Sequence, residues 1–247
     1  MLHLGVITLM PEIFSSLNFG VTGRAIKQNL VKINYYNPRD WSTKNFRQID
    51  DKPYGGGPGM VIMYEPLSKA IQHAKSEMPS DCKVIYLSPQ GKKIYQRDIN
   101  VIAKNNIPTI FLAGRYEGID ERIITNHIDE EWSLGDFVLS GGEIAAMAFI
   151  DAITRILPGS LGHPASSVDD SYMNGLLDYP HYTRPAEVDG KKVPDVLING
   201  NHRDIDRWRR KQSLGATWLK RPDLLKQILL SDVDNELINE FINEQNK

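Results

Sequence analysis

The chain has 247 residues, 41% of them apolar and 24% charged, which is ordinary for a globular protein with one large domain or a domain and a smaller appendage. No run approaches the roughly 18 apolar residues of a membrane span. The apolar start, residues 1–9, lacks the basic segment and cleavage site of a secretion signal. We therefore expect a cytoplasmic protein without membrane contact. A single cysteine, Cys82, excludes an intramolecular disulfide and agrees with a reducing compartment.

Charge is distributed unevenly along the chain. Residues 1–162 hold 17 basic and 17 acidic side chains, residues 201–222 hold seven and two, and residues 223–247 hold two and six. Trp208 and Trp218 are interleaved with the basic residues of the second range. A basic patch with aromatic side chains is expected where a protein grips a phosphate backbone. A solvated helix face explains the same residues equally well.

The order of apolar runs and amphipathic segments predicts an α/β fold, a parallel sheet with helices on both faces. A continuous apolar run such as 84–87 is typical of a strand covered on both sides. The predicted strands are residues 2–9, 33–36, 84–87, 109–113 and 137–139. Helices are predicted to begin at Pro11, to span 65–74, 144–157, 205–214 and 223–230, and to follow a capping box at 231–234. A glycine-bounded turn is predicted at 20–24 and an extended segment at 193–198.

Three predicted strands are linked to polar loops that contain glycine. These loops are residues 86–91, 114–120 and 134–142. The carboxyl ends of parallel strands lie at one edge of a sheet, where open α/β sheets bind their ligands, so we expect the loops to converge on one pocket. In the third loop, glycines let a flat polar ligand approach the main chain closely. An ordinary tight turn is the alternative for that loop.

A further glycine-rich loop, residues 53–59, holds four glycines and two prolines in seven residues. It is neither a dinucleotide-binding fingerprint nor a Walker A loop, because the glycine spacing differs and no Lys-Ser/Thr pair follows Gly59. This disfavours a nucleoside triphosphatase. The loop's N–H groups, beside Lys52 and Arg47, are suited to hold an RNA phosphate.

A domain boundary is predicted near residue 162. Residues 158–167 are poor in large apolar side chains, as linkers are, and the pattern after residue 201 is helical. We therefore expect a ligand-binding α/β domain at 1–162, a flexible linker at 163–172 and a mainly helical domain at 173–247.

The chain resembles the bacterial tRNA (guanine-N1)-methyltransferases of the TrmD family, which belong to the SPOUT class. Seven motifs in order carry the resemblance: GVTGRA (20–25), PYGGGPGM (53–60), VIYLSPQG (84–91), GRYEGIDER (114–122), WSLGDFVLSGGE (132–143), LDYPHYTRP (177–185) and WRRKQSL (208–214). The resemblance implies a trefoil knot where the three loops meet, at the C-terminal part of the α/β domain, followed by a small helical domain. Knots are rare exceptions, so patterning alone does not suggest one.

The resemblance also implies S-adenosylmethionine bound in the knot, bent, with adenine read by main-chain N–H and C=O groups. The positions that match the family's lining residues are Tyr86, Leu87, Ser88, Pro89, Gly114, Tyr116, Gly118, Ser133, Leu134, Gly135, Asp136, Phe137, Val138, Leu139, Gly141 and Gly142.

Two further positions receive chemical roles from the resemblance. Methylation of guanine N1 requires a base that removes the N1 proton and a donor that stabilises charge on O6. The family gives these tasks to an aspartate and an arginine that match Asp170 and Arg155, and its target is guanosine at tRNA position 37, next to the anticodon. Without the resemblance, Asp170 is a linker acid and Arg155 a charge at a helix C-terminus.

The resemblance implies a homodimer with composite active sites and a tRNA partner whose anticodon arm is gripped by the C-terminal helices. Guanine must then be extruded from its stack. The candidate substrate or RNA residues are Arg24, Asp51, Gly59, Arg115, Glu117, His181, Arg184, Trp208, Arg209 and Lys211. The family depends on Mg²⁺, but the sequence shows no ligand cluster of recognisable spacing, so no metal residue is predicted.

Two alternatives remain open from the sequence. The first is a SPOUT enzyme that methylates another RNA atom, such as a ribose 2′-oxygen. Its product would carry a methylated ribose instead of a methylated base. A non-catalytic RNA-binding protein keeps the knot as a scaffold, and loss of Asp170, Arg155 or the glycine loops would favour it. All of these are present.

Overall fold

A computed structural model describes residues 1–162 and 170–245. The chain divides into two compact units after residue 164. Most of the predicted linker, residues 163–169, lies outside the described residues. Within the described ranges, no helix combines the length and apolar character needed to span a membrane.

A five-stranded parallel sheet forms the centre of the first unit. The strands in the described part of this unit are β1 (Leu2–Ile7), β2 (Val31–Tyr36), β3 (Asp50–Asp51), β4 (Val61–Ile62), β5 (Lys83–Lys93), β6 (Thr109–Ala113) and β7 (Glu130–Ser133). The sheet has the order β2-β1-β6-β5-β7 with every neighbouring pair parallel, while β3 and β4 form a separate antiparallel pair. The predicted α/β class with a parallel sheet is confirmed.

Helices cover both faces of this sheet. They are α1 (Gly20–Lys27), α2 (Tyr64–Glu77), α3 (Gln96–Asn105), α4 (Glu121–His127) and α5 (Glu143–Arg155), with 3-10 helices at Pro11–Asn18, Pro38–Trp41 and Asn45–Arg47. Side chains of β6 alternate between the two layers, as successive residues of a strand do. Phe111 packs in the cluster that contains Phe149 of α5, whereas Ile110 and Leu112 pack in the cluster that contains Leu67 of α2. This double burial explains the continuous apolar runs.

Three local predictions for the first unit are wrong. Residues 86–91, predicted as a loop, belong to strand β5, whose pairing with β7 shifts register between Leu87 and Lys92. Residues 20–24 begin helix α1 instead of forming a turn. Gly23 is needed in this helix because a Cβ there would lie 2.0 Å from the carbonyl oxygen of Asn18. The predicted strand 137–139 is a loop, since β7 ends at Ser133 and the exposed fractions of Phe137 and Val138 are 55% and 85%. These apolar side chains face a cavity rather than the core.

The second unit is mainly helical. Its elements are β8 (Glu187–Val188), β9 (Lys191–Lys192), a 3-10 helix at Asp195–Leu197, and the helices α6 (His202–Lys220), α7 (Pro222–Leu225) and α8 (Asp232–Gln245). Helices α6 and α8 meet around Leu214 and Leu237. The extended piece predicted at 193–198 is wrong, because residues 195–197 form a 3-10 helix. The helix predicted at 223–230 ends at Leu225. The predicted capping box is confirmed, because Ser231 and Asp234 exchange side-chain to backbone hydrogen bonds.

Candidate functional site

The first unit contains a cavity of about 260 Å³ beside the middle of β5 and the ends of β6 and β7. Its lining comes from the three segments that the sequence predicts to converge, so that convergence is confirmed, although the first segment is part of strand β5 and not a loop. Of the sixteen matched positions, fifteen line this cavity: Tyr86, Leu87, Ser88, Pro89, Gly114, Tyr116, Gly118, Ser133, Leu134, Gly135, Phe137, Val138, Leu139, Gly141 and Gly142.

Asp136 is the one matched position that does not line the cavity. Its side chain is 91% exposed, and its carboxylate lies 3.9 Å from the ammonium of Lys93. The neighbouring turn orients it outward, since the Ser133 hydroxyl donates to the carbonyl of Gly135 at 3.1 Å and the N–H of Phe137 donates to the same carbonyl at 2.9 Å.

Backbone contact between two loops closes one side of the cavity. The N–H of Gly142 donates to the carbonyl of Gly114 at 2.9 Å, and Arg115 forms an isolated antiparallel bridge with Gly141. A Cβ on Gly142 would lie 2.8 Å from the Cα of Ala113. Glycine is therefore required here because two main chains pass in direct contact.

Tyr86 forms a buried wall of the cavity. Burial raises the pKa of Tyr86 to about 12, with the nearby carboxylates of Glu131 and Glu121 adding to the effect. The phenol thus stays protonated near neutral pH. It packs on Gly114, where a Cβ would lie 2.9 Å from the ring, so a side chain at that position would push the wall into the cavity.

Glu143 holds the cavity-lining residue Arg115 in place. The sequence alone does not predict a functional role for Glu143. It is the first residue of α5 and only 1% exposed. Its carboxylate accepts hydrogen bonds from the Thr8 hydroxyl at 3.1 Å and from Nε of Arg115 at 3.1 Å. The available signal was an acidic residue that opens an otherwise apolar helix. Buried charges are paired in folded proteins, so such a residue predicts a partner.

Comparison with known proteins identifies the family. A family model described as tRNA (Guanine-1)-methyltransferase TrmD matches residues 2–227. The chain is 68% identical over 240 residues to a tRNA (guanine-N(1)-)-methyltransferase of Legionella pneumophila strain Lens, covering 97% of this chain and 96% of the relative. Proteins of that name from Vibrio campbellii and Vibrio cholerae El Tor are 55% and 54% identical, with coverage of 97% or more of both chains.

The chain belongs to the TrmD family. The knot of that family remains a prediction for this chain. The contacts of residues 114–115 with residues 141–142 lie where the family's knotted loops are expected to meet.

In this TrmD-family chain, the PYGGGPGM loop is attached to the cavity loops. The N–H of Glu117 donates to the carbonyl of Met60 at 3.0 Å, and the N–H of Ile62 donates to the carbonyl of Gly118 at 3.0 Å. Gly59 and Glu117, both predicted substrate residues, are in direct contact, since a Cβ on Gly59 would lie 2.3 Å from the Glu117 carboxylate. The structure therefore places Glu117 at the edge shared by the loop and the cavity.

Of the other predicted substrate residues of the first unit, one lines the cavity and two do not. Arg115 lines the cavity and is held by Glu143. Asp51 is exposed on β3, and Arg24 is exposed on α1.

The two predicted catalytic residues belong to different units. Arg155 is the last residue of α5 and half-buried, and Asp170 is half-buried in the second unit. Both make contacts within the chain. That Arg155 and Asp170 act together in this chain, as the TrmD family implies, therefore stays a prediction. It depends on how the two units, or two subunits, are arranged.

Three of the seven basic residues at 201–222 pair with the acidic last helix. Arg207 pairs with Glu240, Arg210 donates to Asp234 at 2.8 and 3.0 Å, and Lys211 donates to Glu244 at 2.6 Å. Charges on α6 thus hold α8 in place. Because these three cations are paired with α8, α6 is neither simply a phosphate-binding patch nor simply a solvated helix face.

The predicted RNA residues of the second unit differ in how well their environment suits contact with RNA. Lys211 is 9% exposed and paired, which disfavours a phosphate contact. His181 and Arg184 are exposed, and Trp208 and Arg209 are half-buried. In residues 1–162 and 170–245, no group of three His, Cys, Asp or Glu side chains is arranged to hold a metal ion. The Mg²⁺ dependence expected from the TrmD family has no assigned site.

Proposed function

We propose that this protein transfers a methyl group from S-adenosylmethionine to N1 of the guanosine at position 37 of tRNA. The observation that carries the proposal is the cavity of glycine-rich loops at the ends of parallel strands, in a chain that belongs to the TrmD family over residues 2–227. Its relatives bear the name tRNA (guanine-N(1)-)-methyltransferase.

The cavity suits S-adenosylmethionine because much of its wall is main chain. Residues of loops 114–118 and 133–142 line the cavity, and main-chain N–H and C=O groups are of the kind that match the donors and acceptors on an adenine edge. The protonated phenol of Tyr86 and the apolar side chains of Leu87 and Leu139 complete the wall. When bound, S-adenosylmethionine supplies a methyl group activated by a sulfonium.

Proton removal at guanine N1 is assigned to Asp170, and stabilisation of O6 to Arg155. As the N1–methyl bond forms and the sulfur–methyl bond breaks, the N1 proton passes to the Asp170 carboxylate, and the neutral thioether leaves. The Arg155 guanidinium donates to O6, where negative charge develops.

The remaining features follow from the family. We place the active protein in the cytoplasm as a homodimer whose composite sites combine Arg155 of one subunit with Asp170 of the other. The tRNA anticodon arm is the partner, and the target guanine is extruded from its stack before reaction. The knot and the SPOUT class belong to the same proposal, and so does a dependence on Mg²⁺, for which no residue is assigned.

The experiment that tests this function measures transfer of labelled methyl from S-adenosylmethionine to two anticodon stem-loops that differ only in guanosine or adenosine at position 37. Transfer to the first alone supports the proposal. Equal transfer to both places the target elsewhere. Binding of both RNAs and of S-adenosylhomocysteine without any transfer supports the non-catalytic RNA-binding alternative.

A further inference from the structure

Asp170, the assigned base, belongs to a compact turn of the second unit, residues 170–176. We propose that Tyr172 and Arg221 are positioning residues, which hold this turn so that the Asp170 carboxylate meets guanine N1 in one orientation. Neither residue is assigned a contact with the reacting atoms. The inference rests on the proposed function for the role of Asp170 and deepens it, because it names the side chains that support that role.

Backbone hydrogen bonds close the turn and include Asp170 in it. The carbonyl of Asp170 accepts from the N–H of Met173 at 3.2 Å. The N–H of Tyr172 donates to the carbonyl of Leu176 at 2.7 Å, and the carbonyl of Tyr172 accepts from the N–H of Gly175 at 3.4 Å. Asp170 and Tyr172 therefore share one small hydrogen-bonded unit, so a shift of Tyr172 also moves the Asp170 carboxylate.

Tyr172 has a strained backbone that needs support from outside the turn. Its φ is +74°, in the left-handed region that large side chains rarely adopt. Strain of this kind persists only where the surrounding structure compensates for it. The side chain is 45% exposed, so burial gives it limited support. Its ring is instead covered by Arg221, whose guanidinium carbon lies 6.0 Å from the ring centroid.

Arg221 is itself held on two sides, which makes it a firm support. Its main-chain N–H donates to the carbonyl of Thr217 at 2.8 Å, at the end of α6. Its Nε and Nη2 donate to the Asp223 carboxylate at 2.8 and 2.6 Å, a bidentate pair with fixed geometry. Asp223 raises the pKa of Arg221, and the Tyr172 phenol adds to this effect. A guanidinium fixed in this way stabilises an aromatic ring beneath it.

The segment that follows the turn is attached to the same part of α6. The N–H of Leu177 donates to Oγ1 of Thr217 at 2.9 Å, and this hydroxyl donates to the carbonyl of Ser213 at 2.6 Å. Thr217 is fully buried, so this attachment is shielded from water. The far end of the turn is thus fixed by a buried group, and the ring of Tyr172 supports the end that bears Asp170.

The test compares Arg221→Gln with Lys226→Gln in the full chain. Both remove one positive charge from the second unit, but Lys226 is exposed and only the first variant loses the support of Tyr172. Methyl transfer to an anticodon stem-loop is measured in a single turnover at saturating RNA and S-adenosylmethionine. The rate is expected to fall about tenfold for Arg221→Gln, because a misplaced reacting group is costly. Affinities for both substrates are expected to stay unchanged, as is the rate of Lys226→Gln.

The pH dependence of the rate separates positioning from a general loss of structure. In alkaline solution guanine N1 loses its proton without a base, so the orientation of Asp170 ceases to matter. The deficit of Arg221→Gln is therefore expected to shrink as the pH rises into that range, as it should for Asp170→Ala. A deficit that stays constant with pH, or equal rates of Arg221→Gln and Lys226→Gln, would overturn the inference.

Two variants of Tyr172 test the same contact from the other side. Tyr172→Phe keeps the ring beneath the guanidinium and is expected to stay near the wild-type rate. Tyr172→Leu removes the ring and is expected to repeat the pH-dependent deficit, which also serves if Arg221→Gln does not fold. A wild-type rate in Tyr172→Leu would show that the ring does not position the base.

Amide hydrogen exchange of residues 171–177, which needs no reaction, distinguishes this claim from the proposed function. Exchange in Arg221→Gln is expected to be about tenfold faster than in the wild type, while α8 is unchanged. Unchanged exchange in Arg221→Gln, with normal methyl transfer by the wild type, refutes the positioning claim alone. Faster exchange in a protein that transfers no methyl refutes the proposed function and retains the support of the turn by Arg221.

Discussion

The carboxylate of Glu143 accepts a hydrogen bond from Nε of Arg115 at 3.1 Å, at a position where Glu143 is 1% exposed. The pair lies against Gly141, where a Cβ would be 2.5 Å from the carboxylate and 2.9 Å from Nε. Since Arg115 also bridges Gly141 through the backbone, this ion pair fixes the relative position of two cavity loops. Thr8, which follows β1, is joined to the same carboxylate.

Glu143→Gln is expected to weaken the first unit and its cavity together. The neutral amide no longer compensates Arg115, so the free energy of unfolding should fall by about 2 kcal/mol, and affinity for S-adenosylhomocysteine should fall with it. Urea denaturation and calorimetric titration measure these quantities. Glu12→Gln, at an exposed position, serves as the control. Unchanged affinity in Glu143→Gln would show that the ion pair does not shape the cavity.

Gly141→Ala is expected to displace the ion pair from the loop. Overpacking of this kind costs about 1 to 3 kcal/mol, which corresponds to roughly tenfold or more in an equilibrium constant. We therefore expect weaker binding of S-adenosylhomocysteine. Gly162→Ala is the matched control, because no atom of residues 1–162 or 170–245 lies within 4 Å of a Cβ there and its φ is not in the left-handed region. Equal affinities in both variants would contradict the close packing at Gly141.

The parts of the structure that the sequence predicts are those with a local cause. Apolar runs predicted the sheet and its burial, and glycine composition predicted the convergence of loops on one cavity. Residues 137–139 look like a strand in the sequence because side chains that line a ligand cavity are as apolar as side chains in the core. The segment 20–24 looks like a turn because glycine is common in turns, whereas Gly23 serves a helix that packs closely against the backbone of Asn18.

Charge patterns were the least informative guide. Three cations of α6, Arg207, Arg210 and Lys211, pair with residues of α8 that lie more than twenty positions later, so the sequence shows these charges without their compensation. Glu143 was overlooked for the same reason, because Arg115 precedes it by 28 residues. The roles of Arg155 and Asp170 came from family resemblance and are not fixed by local pattern.

Asp170→Ala is expected to abolish methyl transfer while leaving cofactor affinity intact. Loss of a general base lowers the rate by about a hundredfold or more, whereas the cavity in the first unit is lined without Asp170. Single-turnover transfer and titration with S-adenosylhomocysteine separate the two effects. Asp195→Ala, at an exposed position in the same unit, controls for loss of a carboxylate. A large loss of cofactor affinity in Asp170→Ala would contradict its role as the base.

The contact between α6 and α8 is expected to weaken in acid. The hydrogen bonds from Arg210 lower the pKa of Asp234 to about 2, from its usual 3.8. A lowered pKa in the folded state gives stability that is present above pH 4 and is lost as the pH falls toward 2. Because Arg210 is 42% exposed, the contribution is about 1 kcal/mol, less than the full shift implies.

Asp234→Asn should therefore destabilise the second unit at pH 7, and the difference from wild type should shrink between pH 4 and pH 2. Amide hydrogen exchange in α6 and α8, supported by urea denaturation, measures it. Asp232→Asn, exposed in the same first turn of α8, is the control. A difference that persists at pH 2 would show that the carboxylate charge is not the cause.

The atom that receives the methyl group distinguishes guanine N1 methylation from every alternative SPOUT reaction. The most direct test is nucleoside analysis by mass spectrometry of unmodified tRNA after incubation with the protein and S-adenosylmethionine. The proposed function predicts 1-methylguanosine as the single new nucleoside, located at position 37. A 2′-O-methylated nucleoside, or a methylated base elsewhere in the tRNA, would contradict it.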